Sequence, residues 1–151
     1  MFTDKKLRLS VVTPDKIEFD DDVNMVVAPG VEGELGIMPG HLPLVTRLRT
    51  GILRIYRGNE KLVMAVSDGY MEVSRDKVVI LAEAAELPEE IDVERALAAK
   101  RRALERLAVH SHDIDIVRAQ AALRRAMVRL QVAREYNGNV SISVRDLDIE
   151  Q

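Results

Sequence analysis

The chain has 151 residues and is 47% hydrophobic, enough to bury a core and too much for wholesale disorder. Its net charge of -3 gives no overall pull toward nucleic acid or an anionic membrane, so no nucleic-acid partner is expected. Cysteine is absent, which excludes disulfides, thiolate metal sites and a cysteine nucleophile and fits a reducing cytosol; aromatics are only 3%, so the core must be aliphatic.

The N-terminus, Met-Phe-Thr-Asp-Lys-Lys, has no apolar segment or cleavage site, and a secretory signal is not expected. Strand-like patterning follows. Leu7, Leu9 and Val11 alternate with polar residues, and then come Val23-Asn24-Met25-Val26-Val27, Ile52-Leu53-Arg54-Ile55-Tyr56 and Leu62-Val63-Met64-Ala65-Val66. Residues 70–73 and 78–81 complete the set. Turn residues separate these runs at Thr13-Pro14-Asp15, Arg57-Gly58-Asn59-Glu60, Ser67-Asp68-Gly69 and Arg75-Asp76. Short strands at this spacing predict a sandwich or a flattened barrel.

Between the second and third runs lies a segment, residues 29–43, in which Gly30, Gly33, Gly36 and Gly40 punctuate the backbone. It reads as a long loop carrying Glu34, His41 and exposed Ile37, Met38 and Leu42. A loop of that makeup is either a binding surface or a demanding turn. No phosphate-binding G-x-x-x-x-G-K-[ST] occurs in the chain.

The period changes near Leu87-Pro88. Residues 92–110 contain no Gly or Pro and are rich in Ala, Leu, Glu and Arg, which predicts a helix with Val93, Leu97, Leu104 and Leu107 on one stripe. A polar break at His110-Ser111-His112-Asp113 follows; its two histidines lack a third ligand and read as a solvated turn, not a metal site. A second helix is predicted over residues 115–134, with Ile116, Ala119, Leu123, Ala126, Leu130 and Ala133 forming a heptad-like seam. The short connection predicts an antiparallel hairpin, and its Ala-rich seam predicts marginal stability in isolation. Asn137-Gly138-Asn139 stops the helix, after which Val140, Ile142 and Val144 alternate as in a frayed tail or a short strand. No run approaches the ~18 apolar residues of a membrane span, so membrane association would run through another protein.

The hairpin carries two arginine faces. Asp92, Arg95 and Arg102 share one side of the first helix, and Arg118, Arg125 and Arg129 share one side of the second. Guanidinium forks suit a bridging polyphosphate. The same residues also have a plain reading: Ile91-Asp92-Val93-Glu94-Arg95-Ala96 is a good helix start, with Asp92 as N-cap, and Ile114-Asp115-Ile116-Val117-Arg118-Ala119 repeats that spacing. Arginine faces are also commonly solvated or set against an acidic partner. No nucleophile, metal set or acid–base pair marks an enzyme, and no catalytic residue is assigned.

The run Gly33-Glu34-Leu35-Gly36-Ile37-Met38-Pro39-Gly40-His41-Leu42-Pro43-Leu44-Val45-Thr46, with Gly51-Ile52-Leu53-Arg54-Ile55 and Asp68-Gly69-Tyr70-Met71-Glu72-Val73, resembles the signature of epsilon subunits of bacterial F-type ATP synthases. The resemblance spans residues 6–134. It implies an α+β chain: a ten-stranded β-sandwich over residues 1–87 that binds the gamma subunit and the c-ring in the central stalk, then a regulatory two-helix hairpin over residues 88–135. Residues 136–151 are an extension to which it assigns no role. The segment with Glu34, Ile37, Met38, His41 and Leu42 resembles the surface facing the c-ring and gamma. The hairpin is expected to lie folded, or to extend toward the alpha and beta subunits and block ATP hydrolysis. Ile91, Asp92, Arg95 and Ala96 fit the I/L-D-x-x-R-A motif of members that bind ATP as a regulatory ligand; there Glu86, Ile91, Asp92 and Ala96 would surround adenine, and Arg95, Arg102, Arg125 and Arg129 would hold phosphates. Mg2+ is left unassigned. The implied protein is a non-catalytic, peripheral subunit on the cytoplasmic side of the cell membrane, without direct membrane insertion.

Overall fold

The computed structural model describes residues 4–109 and 113–136. The chain divides into two compact units, residues 1–87 and 88–151.

The first unit contains ten strands: β1 (Leu7–Val12), β2 (Ile17–Val23), β3 (Met25–Gly30), β4 (Gly33–Ile37), β5 (Leu44–Leu48), β6 (Gly51–Arg57), β7 (Glu60–Val66), β8 (Gly69–Ser74), β9 (Lys77–Ala82) and β10 (Ala85–Glu86). Their pairing runs β10-β7-β6-β3-β5-β8-β9-β1-β2, with β4 on the other edge of β3. Only β1 and β9 run parallel. The two halves of this path meet through the single pair Gly30↔Leu48, so the strands form two layers of a β-sandwich. One aliphatic cluster fills it: Leu9 and Val11 from β1, Val26 and Ala28 from β3, Leu53 and Ile55 from β6, Met64 and Val66 from β7, Met71 and Val73 from β8, Val78 and Ile80 from β9. Each Val, Leu, Ile or Met side chain among them contributes roughly 1.5–3 kcal/mol on leaving water, and Phe19 is the one aromatic side chain packed against the cluster among the described residues.

Three readings of the strand region are corrected. The run 23–27 is two strands, broken at Asn24. Its amide still donates to the Tyr56 carbonyl at 2.8 Å, and its side chain adds two bonds: Oδ1 accepts from the Gly58 N–H at 2.6 Å and Nδ2 donates to the Lys5 carbonyl at 3.4 Å. Segment 29–43 is not one long loop. Gly33, at φ 135, allows a two-residue turn at Val31-Glu32, and the chain returns as β4 against β3. Ile37 is therefore not exposed; it sits opposite Val26 and is 1% accessible. The turn signal at Ser67-Asp68-Gly69 also has a cause. Asp68 Oδ1 accepts from the Thr50 amide at 3.1 Å, and a side chain at Gly69 would lie 1.9 Å from the Leu81 carbonyl oxygen, so only glycine lets β9 approach β8 there.

The second unit opens with a 3-10 turn, Pro88–Glu90, followed by α1 (Val93–Ala108) and α2 (Asp113–Tyr136). The helices pack on each other as an antiparallel hairpin across their short connection. Asp92 is the N-cap of α1: its Oδ1 accepts from the Arg95 amide at 3.1 Å. The fully buried stripe of α1 is Ala96, Lys100 and Ala103; of the predicted stripe Val93, Leu97 and Leu107 are partly buried and Leu104 is exposed. Small residues win the seam because helices pack closer over them. The α2 seam is as predicted at Ala119, Ala126, Leu130 and Ala133, which are buried, with Ile116 and Leu123 partly so. Asp115 is not a cap. Helix α2 already begins at Asp113, because carboxylates are favoured throughout a first turn. The helix also takes in Tyr136, where the extension was expected to begin. The histidines of the polar break and the alternation at Val140, Ile142 and Val144 lie outside the described residues.

Candidate functional site

Two surfaces carry the candidate residues, one in each unit. In the β-unit, Glu34 lies on β4 and its carboxylate accepts from the Arg54 guanidinium of β6 at 3.2 Å. After β4, the chain turns sharply. The His41 amide donates to the Met38 carbonyl at 3.2 Å, and the Gly40 amide donates to the Arg75 carbonyl at 3.0 Å, tying the turn to the β8–β9 connection. His41 Nδ1 lies 2.7 Å from the Leu42 carbonyl, so that nitrogen carries the proton. Buried Ile37 anchors this frame, and it leaves Met38 and Leu42 pointing to solvent, at 45% and 79% exposure. A rigid turn presenting two large apolar side chains is suited to a protein contact: the ordering entropy is already spent before a partner arrives.

In the helical unit, Arg95 and Arg102 are exposed on α1, and Arg125 and Arg129 are half-buried on α2. Ile91 and Ala96 are buried. Glu86 belongs to β10, so the eight-residue set expected around ATP has seven members in this unit and one in the β-unit. Residues 93–136 carry ten Lys and Arg against five Asp and Glu. In the β-unit the arginines Arg8, Arg54 and Arg57 are paired with carboxylates. On the hairpin, Arg95, Arg102 and Arg125 form no ion pair among the described residues. Guanidiniums without carboxylate partners form a field that an anion or an acidic surface would complement. Lys100 is buried in the α1 stripe. Periodicity in large apolar residues missed it; its only signal is its spacing from Ala96 and Ala103.

Among the described residues no His, Asp or Glu cluster could hold a metal ion, and no helix is long and apolar enough to cross a membrane.

The family model for the ATP synthase Delta/Epsilon chain beta-sandwich domain matches residues 6–88, and the one for the Delta/Epsilon chain long alpha-helix domain matches residues 89–134. The chain belongs to the ATP synthase delta/epsilon family. Its relatives include the ATP synthase epsilon chains of Alkalihalophilus pseudofirmus, 57% identical over 67% of this chain and 76% of that one, and of Pelotomaculum thermopropionicum, 54% identical over 70% and 79%. The epsilon chain of Desulforamulus reducens is 52% identical over 68% and 78%. Among solved structures, a chain of the Euglena gracilis mitochondrial ATP synthase, OSCP/F1/c-ring, superposes with a TM-score of 0.74 at 26% identity, covering 88% of this chain and 86% of that one. A chain of the Tetrahymena thermophila mitochondrial ATP synthase central stalk/c-ring shares the fold, with a TM-score of 0.60 at 16% identity over 87% and 99%. This epsilon chain is thus a non-catalytic subunit of an F-type ATP synthase.

Proposed function

We propose that this epsilon chain works in the central stalk as a coupler and an ATP-sensing regulator. The β-unit contacts gamma and the c-ring through the turn bearing Met38, His41 and Leu42, with Glu34 beside it. The hairpin binds ATP when folded: Glu86, Ile91, Asp92 and Ala96 receive adenine, and Arg95, Arg102, Arg125 and Arg129 receive the phosphates. Bound ATP favours the folded state by differential affinity. When ATP falls, the arginine faces lose their counter-anion, and the hairpin extends toward the alpha and beta subunits and restrains hydrolysis. Proton-driven synthesis at the cytoplasmic face of the membrane is the setting this assigns.

The observation that carries the sensor is the set of guanidiniums, Arg95, Arg102 and Arg125, without carboxylate partners among the described residues. The test is calorimetric titration of the isolated chain with ATP. Wild type should bind, and Arg95→Ala and Arg125→Ala should each weaken binding by about tenfold or more, the scale of a lost charge-assisted hydrogen bond. No binding at millimolar ATP, or binding by both variants as tight as that of wild type, would overturn the sensor. A second reading, a purely structural rotor coupler, is favoured by Arg101, Arg106, Arg118 and Arg124. These exposed arginines lie outside the nucleotide set and suit protein contacts alone. The same titration separates the two.

A further inference from the structure

The matched family domain ends at residue 134 and helix α2 at Tyr136, and the sequence runs on to Gln151. Residues 137–151, which lie outside the described residues, read Asn-Gly-Asn-Val-Ser-Ile-Ser-Val-Arg-Asp-Leu-Asp-Ile-Glu-Gln. Their charges are Arg145 against Asp146, Asp148 and Glu150, a net of -2. The hairpin before them has the opposite balance, ten Lys and Arg against five Asp and Glu over residues 93–136. On α2, Arg118 is exposed and Arg125 half-buried, and neither forms an ion pair among the described residues. Arg129 shares their side of the helix, by steps of seven and four.

We propose that the acidic segment 146–150 is a built-in counter-anion for the arginine side of α2, docking there in the absence of ATP and competing with it. Asn137-Gly138-Asn139 is a turn sequence whose Gly accepts a positive φ, so it can reverse the chain after α2. Measured back from Tyr136, Arg125 lies about 16 Å and Arg118 about 27 Å along the axis, at about 1.5 Å per residue. An extended chain advances about 3.3 Å per residue, so Asp146 reaches up to about 23 Å beyond Asn139 and Glu150 up to about 36 Å. Both arginines are within that reach. Alternate residues of an extended chain share a side at intervals of about 6.7 Å, which would set Asp146, Asp148 and Glu150 together. Arg125 and Arg129 are separated along the axis by about 6 Å, a matching interval. A segment tethered this close acts at roughly millimolar effective concentration, which offsets the weakness of each exposed ion pair. Arg125 belongs to the proposed ATP set, so the competition rests on the sensor reading. It lowers the apparent ATP affinity on the order of threefold.

Docking is read without ATP. The chain has no cysteine, so Gln151→Cys takes a single nitroxide spin label, and amide NMR of the full chain reports which residues lie near it. Signals of residues 118–129 should broaden. The broadening should vanish when Asp146→Asn, Asp148→Asn and Glu150→Gln are combined, and at about 0.5 M salt, where exposed charges are screened. Broadening that is absent, or that survives the triple variant or the salt, overturns docking and leaves these arginines to ATP or to an acidic partner. Calorimetric titration of the unlabelled full chains reads the competition. The triple variant should bind ATP about threefold tighter than wild type at low salt; equal or weaker binding overturns the competition. If neither chain binds ATP, the sensor fails and the competition with it, while the spin label still decides docking.

Discussion

Asp92 stands where two uses of one residue meet. Its carboxylate caps α1 through the Arg95 amide, and the same residue lies in the motif expected at adenine. The cap is a backbone interaction with one carboxylate oxygen, so it needs an acceptor and not a charge. Asp92→Ala should lower the stability of the helical unit by about 1 kcal/mol, while Asp92→Asn should cost little. Thermal unfolding followed by circular dichroism at the helical signal checks this, and equal loss in both variants would show that the charge, acting on the helix dipole, matters more than the cap. The cap at Asp92 was legible in the sequence because a hydrophobic residue precedes it and a helix-forming run follows. The echo at Asp115 had the same letters and a different outcome: Asp113 and Ile114 already join α2, leaving Asp115 inside its first turn. Spacing alone does not distinguish a capping Asp from a first-turn Asp, since both are favoured at a helix start.

Strands that bury one face announce themselves, and strands at an edge do not. Leu7, Leu9 and Val11 of β1 point inward and their alternation was readable, while Val78 and Ile80 of β9 point inward from a continuous apolar run. Strand β2, Ile17–Val23, reads Ile-Glu-Phe-Asp-Asp-Asp-Val and buries only Val23, so no period marked it. It is held by charge instead. Asp20 accepts from Arg8 at 2.9 Å and from the Ser10 hydroxyl at 2.9 Å, and Asp21 pairs with Arg57, tying the last strand of the path to β6. Such pairs need partners distant in sequence, which is why the pattern of one segment could not reveal them. Consecutive acidic side chains also keep an edge strand from pairing with another chain. The bond from the Arg8 guanidinium, and then that from Ser10, hold Asp20 below the usual carboxylate range; for Asp21 the Asp22 amide comes first and Arg57 second. A lowered native value means the unfolded chain binds protons first. The stabilisation is present above the unfolded value near 3.9 and is lost as pH falls through the lower native values. The unfolding midpoint of the β-unit should therefore drop below about pH 4, and Arg57→Ala should shallow that drop. Parallel midpoint–pH profiles for wild type and variant would remove the Asp21–Arg57 tie as a cause.

The two units differ in charge and in what holds them. Residues 1–87 carry eleven Lys and Arg against fourteen Asp and Glu, whereas residues 93–136 carry ten against five. The β-unit has a continuous aliphatic cluster, and the helical unit a narrow Ala seam. A change in the hairpin therefore need not disturb the sandwich core, which suits the proposed division into a docked β-unit and a responding hairpin. In that proposal docking falls to surface residues of the β-unit, and Leu42 and Ile37 discriminate between surface and core. Leu42 is 79% exposed on a turn fixed from within, whereas Ile37 is 1% exposed against Val26. Leu42→Asp should leave the unfolding midpoint of the isolated chain unchanged, since exposed substitutions fall within about 0.5 kcal/mol of neutral. It should nonetheless weaken assembly with the rest of the ATP synthase by about tenfold or more, the cost of truncating an apolar anchor and placing a charge in its socket. Ile37→Asp should instead unfold the β-unit, because it buries an unpaired carboxylate. The measurements are thermal unfolding of each purified variant and co-purification with the other subunits under increasing salt. If Leu42→Asp assembles as wild type does, the turn is no interface, and its rigidity serves only to close β4 onto β5.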